Sequence, residues 1–333
     1  MDCLINNNLK KKENKDFILE AKRINLKLKK LIKKPIFIKR KIEKTHILYI
    51  DDTHHEEKAF KVRGALSEII NNFKKIKKKN NTVVLASTGN FAQAISNVCI
   101  KKKMKCVVFV TKLISKKKLQ NLKQIGVKVF LCKDYEVAKT KARNYSKKKN
   151  FFFSNGCNKN IFLGNASMML EAIDELKKNK KISKKKILGI LPLGNGSLAA
   201  PSSIILKNKL ANIDIACVEP FNFKKSQKIL ENKIVLNFRN TIADGAAIKK
   251  LPNESKKIIF ENCKYFFSVT EKEIKESMKF IFTNLQIISE GAGALANALL
   301  LTNPNFMKKY YCVIVPICGG NIEKEKLLAY IKK

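Results

Sequence analysis

Apolar runs of strand length alternate with amphipathic stretches of helix length along most of this chain. The runs lie at residues 46–50, 82–86, 105–110, 127–132, 151–155, 186–193, 214–220 and 310–317. Helices are predicted between them, from about residues 62, 91 and 115, and over 134–147, 164–178 and 198–210. Continuous apolar strands bounded by helices are typical of a parallel sheet that is covered on both faces. The pattern therefore predicts an α/β fold.

The length and the termini set further limits on the fold and its location. With 333 residues, 45% of them apolar, the chain can fill a core divided between two domains. No linker rich in Pro, Gly or Ser divides it, so we expect the second domain to be inserted into the first. The N-terminus lacks the apolar core of a secretion signal, and no apolar run reaches the ~18 to 20 residues of a membrane span. We therefore expect a cytoplasmic protein without a membrane partner.

Cysteine and histidine usage gives no sign of a disulfide framework or of a metal site. The nine cysteines are odd in number and contain no CxxC pair, so we expect reduced thiols. The histidines are His46, His54 and His55, too few for a clustered site, and the adjacent pair is expected in an exposed turn.

The formal net charge of +42 raises the question of nucleic-acid binding. Lys and Arg number 69 together, yet the lysines are spread in short runs along the whole chain and arginine is scarce. Arginine is the side chain that most often grips phosphates and reads bases. We therefore expect no nucleic-acid partner, and composition alone predicts that any one lysine lies on the surface.

Two loops that follow predicted strands are suited to anions, and ligands bind at the carboxyl ends of strands in an open parallel sheet. In "ASTGNFAQAIS" (86–96), a Ser-Thr-Gly-Asn turn opens a helix and can present donors to a carboxylate, or serve as an ordinary N-cap. In "LPLGNGSLAAPSSIIL" (191–206), Gly194 and Gly196 permit a tight turn whose amides can surround a phosphate. This loop is neither a Walker loop nor GxGxxG.

Two further loops have unusual composition and ordinary explanations. In "VPICGGNI" (315–322), Cys318 ends a predicted strand ahead of two glycines, and a buried structural thiol is the common role of such a residue. In "IISEGAGALANAL" (287–299), Glu290 precedes a helix of small residues and suits the helix dipole.

Together these loops resemble, in order and at about the same spacing, those of a known family. It is the pyridoxal-phosphate enzymes of fold type II, the tryptophan synthase β-like group, and within it the threonine/serine dehydratase and serine racemase branch. The resemblance covers about residues 35–325. The matching stretches are "AFKVRGA" (59–65), "STGNFAQAIS" (87–96), "LPLGNGSLAA" (191–200), "CVEP" (217–220), "IADGAAI" (242–248), "SEGAGALA" (289–296) and "CGGNI" (318–322).

The resemblance implies roles for several residues of these stretches. Lys61 is the catalytic residue and forms the Schiff base with the aldehyde of pyridoxal 5'-phosphate, which requires a neutral amine. Phe60 packs on the pyridine ring, and Cys318 faces the ring nitrogen. Asn90 bonds the 3-oxygen of the ring and belongs to the substrate loop. The other implied contacts are Ser87, Thr88 and Gly89 for the substrate carboxylate, and Gly194, Asn195, Gly196, Ser197 and Leu198 for the cofactor phosphate.

The resemblance also implies an architecture and a reaction. Two open, twisted, mostly parallel sheets are covered by helices, with a large domain of residues 1–81 and 155–333 and a small inserted domain of 82–154. The resemblance implies a homodimer. A thiol beside the ring nitrogen makes a weaker electron sink than an aspartate, which favours β-elimination. The expected reaction converts a hydroxy amino acid such as L-threonine or L-serine into a 2-oxo acid and ammonia.

Departures from the family pattern keep other functions open. Ala59 replaces a serine, Phe91 replaces a histidine, and the phosphate loop reads Gly-Asn-Gly-Ser. The Gly-Asn start of that loop and the Ser-Thr-Gly-Asn turn also resemble threonine synthases, which leaves open a β- or γ-replacement enzyme resembling threonine synthase or cysteine synthase. A basic non-enzymatic binding protein that keeps the fold is the third alternative. No metal is expected, because Lys225 stands where serine racemase-like members carry an acid, and its ammonium would repel a divalent cation from Glu219.

Overall fold

The computed structural model describes residues 2–87, 89–112, 114, 116–183, 185–226 and 240–332. The chain forms two compact units, Met1–Phe60 with Asn165–Lys333 and Lys61–Gly164. We call them the first and the second unit. Residues 82–154, predicted as the inserted domain, lie within the second unit, and the domain boundaries given by the resemblance stay a prediction.

The strands and helices follow one another in alternation. The strands are β1 (Ile36–Ile42), β2 (Thr45–Asp51), β3 (Thr82–Ala86), β4 (Lys105–Thr111), β5 (Lys128–Cys132), β6 (Phe152–Ser154), β7 (Ile187–Pro192), β8 (Ile213–Pro220), β9 (Tyr265–Val269) and β10 (Cys312–Ile317). The helices are α1 (Asp2–Leu28), α2 (Lys61–Lys78), α3 (Asn90–Lys101), α4 (Lys116–Gln124), α5 (Tyr135–Lys148), α6 (Lys159–Lys177), α7 (Lys180–Ser183), α8 (Ala199–Lys209), α9 (Asn253–Asn262), α10 (Glu271–Leu285), α11 (Gly291–Thr302), α12 (Pro304–Met307) and α13 (Lys324–Ile331). Short 3₁₀ turns lie at Phe221–Phe223 and Asp244–Ala246.

The first unit contains a six-stranded sheet in the order β1-β2-β10-β7-β8-β9. Only the β1–β2 pair is antiparallel among the described pairs of this sheet. Every residue of the central strands β7 and β10 is buried, because these strands are covered on both faces. Helix α11 is apolar around most of its circumference and packs into the same core, with Leu295 and Leu299 among the buried residues that cluster with Val313 and Val315.

The second unit contains a four-stranded sheet in the order β5-β4-β3-β6, and all its described pairs are parallel. One face of this sheet packs on α5, where Val84, Phe109 and Ala142 meet in a small core. Helix α5 begins after Asp134, whose carboxylate accepts a hydrogen bond from the Val137 amide at 2.8 Å.

The predicted α/β class with two open, mostly parallel sheets is confirmed. The predicted helix at 164–178 begins earlier, at Lys159, because the Asn158 side chain accepts the Ile161 amide at 3.1 Å and so starts the helix. No helix in the described part of the chain has the length and apolarity of a membrane span.

Candidate functional site

The predicted phosphate loop and the segment around Cys318 follow neighbouring strands of the six-stranded sheet. Strands β7 and β10 pair in parallel, so their carboxyl ends lie on the same edge. Residues 194–198 follow β7, and residues 318–320 follow β10. This edge is where an open parallel sheet binds its ligands.

The loop at 194–198 is held in a fixed shape by residues distant in sequence. The Ser255 hydroxyl donates to the Asn195 carbonyl at 2.8 Å, and the Asn165 side chain donates to the Ser197 carbonyl at 2.7 Å. Within the loop, the Ser197 amide donates to the Asn195 side chain at 3.1 Å. Gly196 has a φ of +81°, and a Cβ there would lie 2.6 Å from that of Ser255. Only glycine fits this position without strain.

The same loop leads into the N-terminus of helix α8. Leu198 occupies the N-cap position and contributes no side-chain capping hydrogen bond. The first amides of a helix need acceptors, and the helix dipole favours a negative group at this end. The turn at 194–198 contains glycines and leads into a helix start that has no side-chain cap. Such a turn fits a phosphate group.

Residues 58–60 are fastened to the end of β10. The Phe60 amide donates to the Cys318 carbonyl at 3.1 Å, and the Gly320 amide donates to the Lys58 carbonyl at 2.7 Å. Ala59 and Gly319 form an antiparallel bridge between these two bonds. Phe60 and Cys318 are both buried.

Two other segments of the family pattern pack between these elements in the first unit. Gly194 packs against Gly245, since a Cβ added to Gly194 would lie 3.1 Å from the Gly245 carbonyl oxygen. Gly245 in turn packs near Glu290, since a Cβ added to Gly245 would lie 3.5 Å from a Glu290 carboxylate oxygen. The Glu290 amide donates to the Gly319 carbonyl at 2.9 Å. The structure thus brings Phe60, Cys318 and the 194–198 loop into one continuous set of contacts.

Lys61 and the predicted substrate loop belong to the second unit. Lys61 is the first residue of α2 and is half-buried. Ser87 and Gly89 are half-buried beyond the end of β3, and Asn90 is the first residue of α3. Gly89 caps α3 without a side-chain hydrogen bond, and its amide donates weakly to the Ser87 hydroxyl at 3.4 Å. Thr88 lies outside the described residues.

The sequence predicts an exposed turn for His54 and His55, and this prediction is wrong because neither side chain is exposed. His55 is buried, and its Nε2 lies 2.9 Å from a carboxylate oxygen of Asp52, which is also buried. The chain from Asp52 to Phe60 is folded against the end of β10, so His55 is enclosed and needs a polar partner.

Lys225 has an environment that the sequence did not reveal. Its ammonium lies 3.1 Å from a Glu219 carboxylate oxygen and 3.0 Å from the Leu193 carbonyl oxygen, and all these groups are buried. Burial lowers the pKa of Lys225, and the Glu219 carboxylate opposes part of that shift. Among the described residues, no group of three or more His, Cys, Asp or Glu side chains could hold a metal ion.

Sequence reasoning missed the residues that support the loop. Ser255 and Asn165 are 60 and 32 residues away from their partners Asn195 and Ser197. Both are ordinary polar residues of helices, and no local pattern marks them.

Comparisons with known proteins identify the family and several relatives of this chain. The model of the family described as pyridoxal-phosphate dependent enzyme matches residues 34–319. A catabolic L-threonine dehydratase of Staphylococcus aureus is 24% identical over 305 residues, which cover 90% of this chain and 86% of the relative. Serine racemase of Dictyostelium discoideum is 28% identical over 277 residues, covering 80% of this chain and 81% of the relative.

Solved structures show the same fold. A pyridoxal 5'-phosphate-dependent aspartate racemase superposes with a TM-score of 0.83 at 21% identity and covers 93% of this chain and 97% of its own. The structure of the Dictyostelium discoideum serine racemase gives a TM-score of 0.80 at 25% identity, covering 91% of this chain and 98% of its own. Because the family model matches most of the chain, the protein belongs to the pyridoxal-phosphate dependent enzymes of fold type II.

Proposed function

We propose that the protein is a lyase that removes the β-hydroxyl and amino groups of a hydroxy amino acid such as L-threonine or L-serine. The products are a 2-oxo acid and ammonia. The observation that carries this proposal is the buried Cys318 at the end of β10, bonded through its carbonyl to the Phe60 amide at 3.1 Å. A thiol rather than a carboxylate stands at the position that we assign to the ring nitrogen of the cofactor.

The residues of the first unit hold the cofactor in this proposal. When bound, pyridoxal phosphate withdraws electrons from the substrate and makes its Cα–H bond acidic. The amides of Gly194 to Leu198 bind the phosphate at the start of α8, and Phe60 packs on the ring. A thiol at Cys318 does not fix a proton on the ring nitrogen as an aspartate would. We expect this to favour loss of the β-hydroxyl over return of the proton to Cα, which separates elimination from racemisation.

Other residues of the family pattern act on the substrate in this proposal. Ser87, Thr88 and Gly89 hold the substrate carboxylate with donors at the start of α3, and Asn90 orients the ring through its 3-oxygen. The Lys61 amine would hold the cofactor through its aldehyde and would serve as the base that takes the proton from Cα of the substrate. Holding that C–H bond perpendicular to the ring is the main geometric task of the protein.

Racemisation is the second candidate, favoured by the 28% identity to a serine racemase over most of the chain. The two reactions share proton removal at Cα and differ in the next step. Assays of 2-oxo acid release and of D-amino acid formation from L-serine and L-threonine distinguish them. An added thiol or other nucleophile in the same assay detects a replacement reaction. We expect 2-oxo acid as the main product, and D-amino acid or a replacement product in its place would contradict the proposal.

The covalent role of Lys61 is tested by borohydride reduction of the holoprotein and peptide mapping. We expect the reduced cofactor on Lys61, and a Lys61→Ala variant that carries no label and makes no product. Lys74→Ala is the matched control, because Lys74 lies on the same helix and is exposed. A label on another lysine of the wild-type protein would overturn the assignment. A homodimer and a cytoplasmic location stay predictions, and light scattering tests the first.

A further inference from the structure

In the first unit, a buried ion pair contacts Leu193, the residue that precedes the 194–198 loop. The side chains of Lys225 and Glu219 are only 2% and 0% exposed, and Nζ and Oε2 are 3.1 Å apart. Most lysines of this protein can remain in water, and burying an ammonium removes its hydration. A lysine in this place needs compensating contacts, and those contacts indicate its role.

The Glu219 carboxylate is fully engaged. Its Oε1 accepts hydrogen bonds from the amide and the hydroxyl of Ser226, at 2.9 and 2.6 Å. Its Oε2 accepts the bond from Lys225. Glu219 is the penultimate residue of β8, so its hydrogen bonds fix Lys225 and Ser226 against the carboxyl end of that strand.

The second contact of Lys225 reaches the loop itself. The ammonium donates to the Leu193 carbonyl at 3.0 Å, and the Leu193 amide donates to the Val218 carbonyl at 2.8 Å. The carbonyl of Leu193 and the N–H of Gly194 belong to one peptide group. A cation on the oxygen polarises that group, so the Gly194 N–H becomes a stronger donor.

We propose that Lys225 is a built-in cation that positions and polarises the Leu193–Gly194 peptide for binding of the cofactor phosphate, with Glu219 as its counter-ion. The ammonium takes the place that a bound metal ion would have beside a buried carboxylate, so the wild-type site needs no added cation. Lys225 is a positioning residue because it acts through the loop. This inference rests on the proposed role of residues 194–198 in phosphate binding.

The competing explanation is a purely structural ion pair. Buried pairs can often be replaced by apolar residues without loss of stability, whereas removing one partner leaves a buried charge unpaired. The single variant Lys225→Met and the double variant Glu219→Gln with Lys225→Met separate these cases. The double variant removes both charges and leaves no unpaired carboxylate.

Two quantities are measured for each variant: stability by chemical denaturation, and the dissociation constant of pyridoxal phosphate by titration of the apoprotein. The single variant is expected to lose stability. The double variant is expected to recover most of it and still bind the cofactor on the order of 10-fold more weakly, because the charged hydrogen bond to Leu193 is absent. Wild-type affinity in the double variant would show that the pair is only structural and would overturn the proposal.

Chemical rescue gives a readout that a structural role would not change. Lys225→Ala leaves space beside Glu219, and methylammonium is the probe. We expect methylammonium to restore about 10-fold in cofactor affinity to this variant and to leave the wild-type affinity unchanged. Tetramethylammonium, which has no N–H donor, is the control for ionic strength. If both salts change the cofactor affinity of this variant equally, or if neither changes it, Lys225 does not act as a built-in cation.

Failure of this inference is distinguishable from failure of the proposed function. Borohydride labelling of Lys61 in the wild-type protein tests the function without involving Lys225. Thermal stabilisation of the apoprotein by inorganic phosphate tests the loop without involving Lys61. We expect phosphate to stabilise the wild-type protein more than the double variant, and equal stabilisation would contradict the role of Lys225.

Discussion

Replacement of Gly196 by alanine tests the geometry of the phosphate loop most directly. Gly196 has a φ of +81°, in the region that residues with a Cβ adopt only at a cost. The added Cβ would lie 2.6 Å from the Ser255 Cβ and 2.8 Å from the Ile259 Cδ1. Both of these residues belong to α9, so the loop and the helix cannot keep their present separation.

The expected cost has two parts. A left-handed conformation costs a residue with a Cβ roughly 1 to 2 kcal/mol. Overpacking of a well-filled site typically costs about 1 to 3 kcal/mol more. We therefore expect Gly196→Ala to lower the free energy of unfolding by about 2 to 5 kcal/mol. The shift also disturbs the 2.8 Å bond from Ser255 to the Asn195 carbonyl, so cofactor affinity falls as well.

Gly126→Ala is the matched control for backbone strain. Gly126 has nearly the same φ, +83°, but nothing lies within 4 Å of its Cβ position. This variant should show only the strain, roughly 1 to 2 kcal/mol. Both variants are compared with the wild-type protein by chemical denaturation and by titration with pyridoxal phosphate. If Gly196→Ala is no less stable than Gly126→Ala and binds the cofactor normally, the contact of the loop with α9 does not shape the site.

Two other buried polar groups give predictions of stability. Tyr49→Phe should destabilise the protein by about 1 to 2 kcal/mol. The reason is that the Asn297 side-chain oxygen, 3.0 Å from the tyrosine hydroxyl, loses its donor. An unchanged free energy of unfolding in chemical denaturation would contradict this. Burial raises the pKa of Glu68 against the opposing hydrogen bond from Asn158, so the folded state holds the proton more tightly than the unfolded state. This stabilisation is present at acidic pH and is lost as the pH rises through the raised pKa. Glu68→Gln cannot ionise, so its unfolding free energy should fall less with rising pH than that of the wild-type protein, and parallel pH profiles would refute the reasoning.

In the six-stranded sheet, the central strands could be predicted from the sequence, whereas the two edge strands were missed. Strands β7 and β10 are covered on both faces, so they appear as continuous apolar runs. Strand β1 reads IFIKRKI and is largely exposed, because it pairs only with β2 in the described sheet. Charged side chains protect an edge from association with other chains, and they also hide the strand from a search for apolar runs. Strand β9, half-buried at the other edge, was also missed, although its sequence YFFSV carries no charge.

The turn at 194–198, which we propose binds the phosphate, could be predicted because its residues are local in sequence. Gly194, Gly196 and the helix start after Leu198 are contiguous in sequence, so the anion-binding turn is visible without a fold. The supporting contacts are non-local: Ser255 reaches Asn195 from α9, and no sequence pattern links the two. Sequence reasoning can therefore name the groups that face a ligand more readily than the groups that hold them in place.

Two ion pairs formed by lysines show most clearly which contacts the sequence does not reveal. Lys39 and Glu175 form a surface pair at 2.7 Å with the lysine 64% exposed, and such a pair contributes about 0 to 1 kcal/mol. Lys225 and Glu219 form a pair of similar length that is almost fully buried, and removing one partner from such a pair costs about 3 to 5 kcal/mol. The sequence predicted that Lys225 would keep a cation away from Glu219. In the fold, the Lys225 ammonium itself pairs with this carboxylate and also donates to the Leu193 carbonyl next to Gly194, and the expectation that no metal binds there stays a prediction.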